Sequence, residues 1–196
     1  MDAQTFVTLA LRNPANDTIL SALDTARLPD GWLVSGCLVQ SVWNVLTDRP
    51  IGYGISDYDV FYFDQDTSWD AEDRIIKQFD PIAHDLAVPI QMRNQARVHL
   101  WYEQKFGRPY APLICSTEGI DRFLTRNTKV GIRRRHGRDE VYAPEGFDDI
   151  ANLLITPNRS ANFSRERFLE KATRWRSLWP ELTILEPEAW QPAECQ

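Results

Sequence analysis

Only three cysteines occur among the 196 residues, Cys37, Cys115 and Cys195. Their odd number and wide spacing fit neither a disulfide framework nor a CxxC zinc or redox motif, so structural thiols are expected. No apolar run approaches the roughly 18 to 20 residues that a membrane helix needs, which excludes a helical membrane span. The N-terminal MDAQTFVTLALRNP lacks the basic flank and small-residue cleavage site of a signal peptide, so the expected location is cytoplasmic. Positive charge is also short: 22 Lys and Arg stand against 28 Asp and Glu, a net charge of −6. Such a chain repels a phosphate backbone at long range unless cations gather on one face, which argues against bulk DNA or RNA binding and against templated polymerisation. With 9 glycines, 12 prolines, 43% apolar and 26% charged residues, the chain is neither collagenous, low-complexity nor disordered. Its length suits a single domain over residues 1–196.

The apolar pattern predicts two short helices and then a strand. Ile19, Leu20, Leu23 and Ala26 recur at helical spacing behind the capping candidates Asn16 and Asp17, and Pro29-Asp30-Gly31 breaks the chain before Trp32-Leu33-Val34. Val34 runs through Ser35 into Gly36, after which Leu38, Val42, Val45 and Leu46 again follow a helical period. Residues 57–63, DYDVFYF, read as a buried strand and 69–79 as a surface helix. A third strand is expected at 88–92, with Pro89 at its start or on an edge. A capped helix at 117–124, a hairpin turning at His136-Gly137 and a final helix over 164–178 complete the pattern, and the tail after Glu186 reads as loose. Alternating helices and strands point to a mixed α/β sheet, a fold of the α+β class. Trp43, Trp101 and Trp175 fall at core-like spacing and are expected to pack.

The sharpest chemical feature is Asp57 and Asp59. Strand side chains alternate, so both carboxylates leave the same face about 7 Å apart and can converge on one cation. Such oxygens suit Mg²⁺, which takes one or two carboxylates and fills its shell with waters and substrate phosphates. The plainer alternative is that Asp57 caps a loop and Asp59 sits at a solvated strand end. Gly36 changes the balance, because glycine between a strand and a helix lets backbone approach a phosphate while the amides around Cys37 and Leu38 point at it. Arg97 could add a phosphate contact, whereas His99 reads as a structural histidine. The basic run 133–138 could grip phosphate, but a solvated hairpin tip accounts for it more simply.

Gly36-Cys37 followed by Asp57-Tyr58-Asp59-Val60 resembles the glycine-plus-Asp-x-Asp signature of the DNA polymerase β-like nucleotidyltransferase superfamily. The segments GWLVSGCLVQSVWNVL, SDYDVFYFD, RNQARVHLWY at 93–102 and VYAPEGFDDIANLLITPN at 141–158 are similar to the uncharacterised bacterial nucleotidyltransferase-like family within it. That resemblance spans about residues 16–180. It implies a polymerase β-like core over about 16–115, a small mixed sheet with flanking helices, and a C-terminal extension of hairpin and helices over about 116–185. It also implies that Asp57 and Asp59 are catalytic metal ligands and that the turn at Gly36 and Cys37 seats a nucleoside triphosphate, with Arg97 the further phosphate contact read from the residues above. A third carboxylate on a neighbouring strand completes the site in the superfamily, and the matching position here is Gln91, which can offer a carbonyl oxygen but no charge. Two metal ions close together need compensating carboxylates. Asp57 and Asp59 therefore suit one ion held jointly with the triphosphate, and Asp64 or Glu103 are candidates for the absent acid. The implied activity is Mg²⁺-dependent transfer of a nucleotidyl group to a small-molecule or protein hydroxyl. Its rivals are a catalytically impaired nucleotide-binding or protein-interaction module of the same fold and, less favoured, a metal-dependent phosphohydrolase.

Overall fold

The computed structural model describes residues 1–185; the tail expected to be loose after Glu186, with Cys195, lies outside the described residues. Helices α1 (Ala3–Ala10) and α2 (Pro14–Ala26) lead into β1 (Trp32–Val34) and α3 (Gly36–Leu46), followed by β2 (Tyr58–Tyr62), α4 (Trp69–Leu86) and β3 (Ile90–Asn94). A 3-10 turn at Gln95–Arg97 runs into α5 (Val98–Phe106), and the short α6 (Ser116–Ile120) precedes a second such turn at Arg126–Thr128. The chain ends with β4 (Gly131–Arg135), β5 (Arg138–Tyr142), α7 (Asp148–Ala151), β6 (Leu154–Ile155), α8 (Arg165–Leu178) and β7 (Thr183–Ile184).

The fold is α+β, with a five-stranded mixed sheet in the order β3-β2-β1-β4-β5 and a small parallel pair, β6-β7. β1 pairs antiparallel with β2 and β4, and β2 pairs parallel with β3. The hairpin expected in a C-terminal extension thus continues the sheet that carries β1 and β2. Its turn has both His136 (φ 51°) and Gly137 (φ 71°) in the left-handed region, the conformation a two-residue hairpin requires. Both turn amides donate to the Asp24 carboxylate on α2 at 2.9 Å.

The two faces of the sheet differ. Leu33, Tyr58, Val60, Tyr62, Met92 and Ile132 point into the main core, against Phe6, Ile19, Leu38, Val42 and Trp43 from the helices. Every residue of α3 from Cys37 to Asn44 is buried. On the opposite face Trp32, Val34 and Ile120 form a smaller cluster, flanked by Phe61, Phe123 and Tyr142. By strand alternation, Asp57, Asp59, Gln91 and Arg93 belong to this second face. No helix among the described residues is long and apolar enough to cross a membrane.

Several elements depart from the sequence expectation for identifiable reasons. Asn13, not Asn16 or Asp17, caps α2 by accepting the Ala15 amide, with Pro14 in the first turn. Asn16 is buried a turn further on, where its amide donates to the Ala10 carbonyl and the Ser41 hydroxyl. α4 continues through Pro81 to Leu86 because Ile82 and Leu86 pack on the core, offsetting the hydrogen bond that proline cannot donate. β3 starts two residues late, since its register with β2 begins at Tyr58↔Ile90; it is the edge strand that Pro89 requires. α6 stops at Ile120 because Asn158 takes over the next carbonyls: its side-chain amide donates to Asp121 and Phe123, and its backbone N–H to Leu124. Trp43 and Trp175 are buried, but Trp101 is half-exposed on α5 and lies in no core.

Asn44 ties this architecture together. Its side-chain nitrogen donates to the carbonyls of Ile51 and Tyr53 at 3.0 and 2.9 Å, and its oxygen accepts from the Trp179 indole at 2.9 Å. Trp179 in turn packs edge-on against Trp43 at 5.7 Å. Asn44→Ala strands three polar partners in a buried setting, so urea unfolding is expected to show a loss of about 2–4 kcal/mol.

Candidate active site

β1 ends at Val34, and the chain turns at Ser35 with φ 62° and ψ −123° before entering α3. The Ser35 amide is tied at 2.9 Å to the carbonyl of Val130, the residue just before β4, and the Ser35 carbonyl accepts both the Leu38 and the Val39 amides at 3.2 Å. Leu38, expected to face an anion, therefore has its N–H engaged. Those of Gly36 and Cys37 remain to do so, with the helix dipole behind them. A Cβ on Gly36 would meet only the tip of the Gln40 side chain, whose nitrogen would lie 3.0 Å away. The Cys37 thiol is buried and points back to the Val34 carbonyl at 3.6 Å. Burial, with the Asp59 charge behind it, pushes its pKa up. The side chain is a packing group, and a ligand can meet only its backbone.

Asp59 lies in β2 directly opposite Val34 of β1 on one side and Gln91 of β3 on the other. Asp57 immediately precedes β2. Its two oxygens accept from the Ser56 hydroxyl at 3.0 Å and from the Gln91 amide nitrogen at 2.6 Å. Gln91 thus occupies the position next to the pair, but it presents its N–H₂ to Asp57 rather than a carbonyl to a shared cation. Burial raises the Asp59 carboxyl to about 6, helped by the Asp57 charge and opposed by Lys171 and Arg93.

Lys171 is the residue that sequence reasoning missed. It comes from α8, with its ammonium 4.7 Å from the centre of the Trp175 ring. Burial lowers its pKa, and attraction to Asp59 works the other way. Phe168, Lys171, Ala172 and Trp175 follow the i, i+3, i+4, i+7 spacing of one helix face, so a lysine on an otherwise apolar stripe was the available signal. Arg97, by contrast, is not brought to the acidic pair. It follows β3, at the opposite end from Gln91, and its guanidinium is ion-paired with Glu72 of α4. Asp64 lies past the far end of β2, where it accepts the Asp66 amide, and Glu103 sits on α5. Among the described residues no group of three or more His, Cys, Asp or Glu side chains could hold a metal. The basic run is ion-paired as well as peripheral: Arg133 holds Glu140 and Asp30, and Arg134 holds Asp139 and Asp17.

A nucleotidyltransferase family model matches residues 21–184. The chain belongs to that family. A solved structure described as revealing a CCA-adding enzyme head domain has the same fold, with a TM-score of 0.73 and 24% identity over 95% of this chain and 97% of that one. No protein with a curated description matches the chain. Nucleotidyltransferases typically use a divalent metal, and the donor set can be tested against that. Two carboxylates share one face, and burial, with the Asp57 charge adding to it, favours the protonated form of Asp59, so a hard cation between them relieves a cost already built in. The residues fit one such ion. They do not fit two, because the third position is a neutral amide turned donor-first.

In this nucleotidyltransferase the Asp59 shift has a definite sign. Its folded carboxyl titrates near 6 against an ordinary 3.8, so across that interval the native state keeps a proton that the unfolded chain has lost. Metal-free stability therefore falls as pH rises from 4 to 6, by on the order of 2–3 kcal/mol, and is constant in this respect above it. Urea unfolding in EDTA at stepped pH checks this: Asp59→Asn should lose the slope and be the more stable protein at pH 7.5.

Proposed function

We propose that this protein transfers a nucleotidyl group from a nucleoside triphosphate to the hydroxyl of a small-molecule or protein acceptor, using a single Mg²⁺ held by Asp57 and Asp59. The observation that carries the reading is the convergence of three strands. β1 delivers the Gly36 and Cys37 amides, β2 the two carboxylates, and β3 the Gln91 amide that orients one of them. A related fold described as a CCA-adding enzyme head domain supports nucleotide addition as the chemistry.

Bound Mg²⁺ would neutralise phosphate charge and fix the triphosphate against the two acids. The rest falls to the chain. The Gly36 and Cys37 amides receive phosphate oxygens, and Gln91 and Ser56 hold the Asp57 carboxylate in one orientation by hydrogen bonds to both its oxygens. Lys171 and Arg93 bring positive charge to the same face, where it offsets the negative charge of the phosphoryl group in transfer. The acceptor oxygen forms a bond to the α-phosphorus as the bond from that phosphorus to the bridging oxygen breaks. Pyrophosphate departs, and the hydroxyl proton passes to solvent. Positioning and charge neutralisation account for most of the acceleration.

The second reading, a nucleotide-binding module without turnover, is favoured by one observation: Gln91 donates to Asp57 where the superfamily carries an acid. Pyrophosphate release separates the two, measured with each nucleoside triphosphate, Mg²⁺ and a metabolite and protein extract as acceptor source. The enzyme reading expects release by the wild type and a loss of at least about a hundredfold in Asp57→Asn. An inert wild type alongside an active Gln91→Glu would establish the module instead.

A further inference from the structure

Beside the acidic pair lies a cleft of about 260 Å³ between the second face of the sheet and helices α5, α6 and α8. Phe61 and Arg93, two pairs beyond Asp59 and Gln91 and on the same face, form its floor, and Lys171 stands at the end nearest the acids. Rings make up much of the wall: Phe61 stacks on Phe123 with centroids 5.3 Å apart, and Tyr110 lies 4.4 Å from Tyr102. The charges are one-sided. Arg93, Arg122, Arg167 and Lys171 all line the cleft, and no carboxylate does. Among the described residues none of these four makes an ion pair, although the chain has an excess of acid. Arg49, Arg97, Arg126, Arg133 and Arg134 each sit on a carboxylate elsewhere in the protein. Arg122 is instead laid 4.3 Å over the Tyr110 ring, and Arg167 4.4 Å over Phe106. Arg122 also donates to the Asn162 side-chain oxygen at 3.4 Å and Arg93 to the Met92 carbonyl at 2.8 Å, both neutral acceptors. Cations held by rings and neutral oxygens, with no carboxylate to balance their charge, suit a planar ligand that brings its own negative charge.

The position of the cleft decides which substrate it serves. Asp59 is flanked by β1, which carries the Gly36 turn, and by β3, which carries the cleft. In an in-line displacement the attacking and leaving oxygens lie on opposite sides of the phosphorus. With the triphosphate seated at Gly36, the acceptor must approach from the β3 side.

We propose that this cleft is the acceptor subsite and that the acceptor is a planar, ring-bearing anion, chemistry shared by a free nucleotide and by the end of an RNA strand. The assignment rests on the nucleotidyl transfer proposed above; of the acceptors named there it keeps the small molecule, as a free nucleotide, and it adds a strand end. It disfavours polycationic acceptors such as amino sugars, which would face four like charges.

Calorimetry on the full chain in EDTA tests it, with nucleoside 5′-monophosphates, nucleosides, inorganic phosphate, a short single-stranded RNA and a cationic amino sugar as probes. The monophosphate is expected to bind without metal, and Arg122→Ala and Arg167→Gln should each weaken it about tenfold. Arg167→Gln on the helix surface serves as the second variant should Arg122→Ala, which removes a packed side chain, fail to fold. Tighter binding of the RNA supports the proposal and identifies a strand end as the source; tighter binding of the free nucleotide supports it with the other source. Binding should persist in Asp57→Asn and in the presence of Mg²⁺ with a non-hydrolysable triphosphate. Displacement by that triphosphate would give the cleft to the donor and overturn the proposal, as would indifference to both variants, no binding by any anionic probe, or preference for the amino sugar. Because these measurements need neither metal nor turnover, their failure leaves the Asp57-dependent release of pyrophosphate standing, and the reverse also holds.

Discussion

Asp57 and Asp59 carry like charges on one face of a strand, and much of their surroundings answers the repulsion between them. Asp57 is held by two neutral donors, Ser56 and Gln91. Asp59, mostly buried, has its proton retained to about pH 6 and is approached by Lys171 and Arg93. Each response is partial. The amide of Gln91 supplies no charge, and Lys171 itself suffers from burial, so the pair stays short of positive charge. A site built this way costs stability in the metal-free protein, and on the function proposed here binding of a cation and a triphosphate would recover it, the usual relation between a strained site and its ligand.

The sheet supports this arrangement by treating its faces differently. One face is a continuous apolar floor for α1 to α4, and it anchors β1 and β2 so firmly that Val34, Asp59 and Gln91 fall in one row across three strands. The other face begins as a small apolar cluster around Trp32 and Ile120 and gives way to charged and aromatic side chains toward β3. Helix α8 reaches this second face from the far end of the chain. Its register is fixed by Trp175, which packs edge-on against Trp43 at 5.5 Å, so the Trp cluster in the core also sets where Lys171 stands.

The parts of this site that were legible in the sequence are those encoded locally. Strand, glycine and helix lie within fifteen residues around Gly36, Asp57 and Asp59 are two apart on a strand, and the His136-Gly137 turn announces its hairpin. The parts that were not legible depend on distant partners. Arg97 looked available for a phosphate because nothing nearby in sequence showed that Glu72 would claim it. The Leu38 amide looked exposed until Ser35 turned its carbonyl back on it. Lys171 joins the acids only through the packing of α8, and the end of α6 is set by Asn158 from a later loop. Even the hairpin, readable as a hairpin, gave no sign that β4 would pair with β1.

The central claim is that the acidic pair gathers one divalent ion. Electron paramagnetic resonance of Mn²⁺ counts bound ions directly, in the presence of a saturating non-hydrolysable triphosphate. One ion per chain in the wild type and none in the doubly substituted Asp57→Asn, Asp59→Asn protein is the predicted result. Two ions per chain in the wild type, or one ion that survives the double substitution, would contradict it.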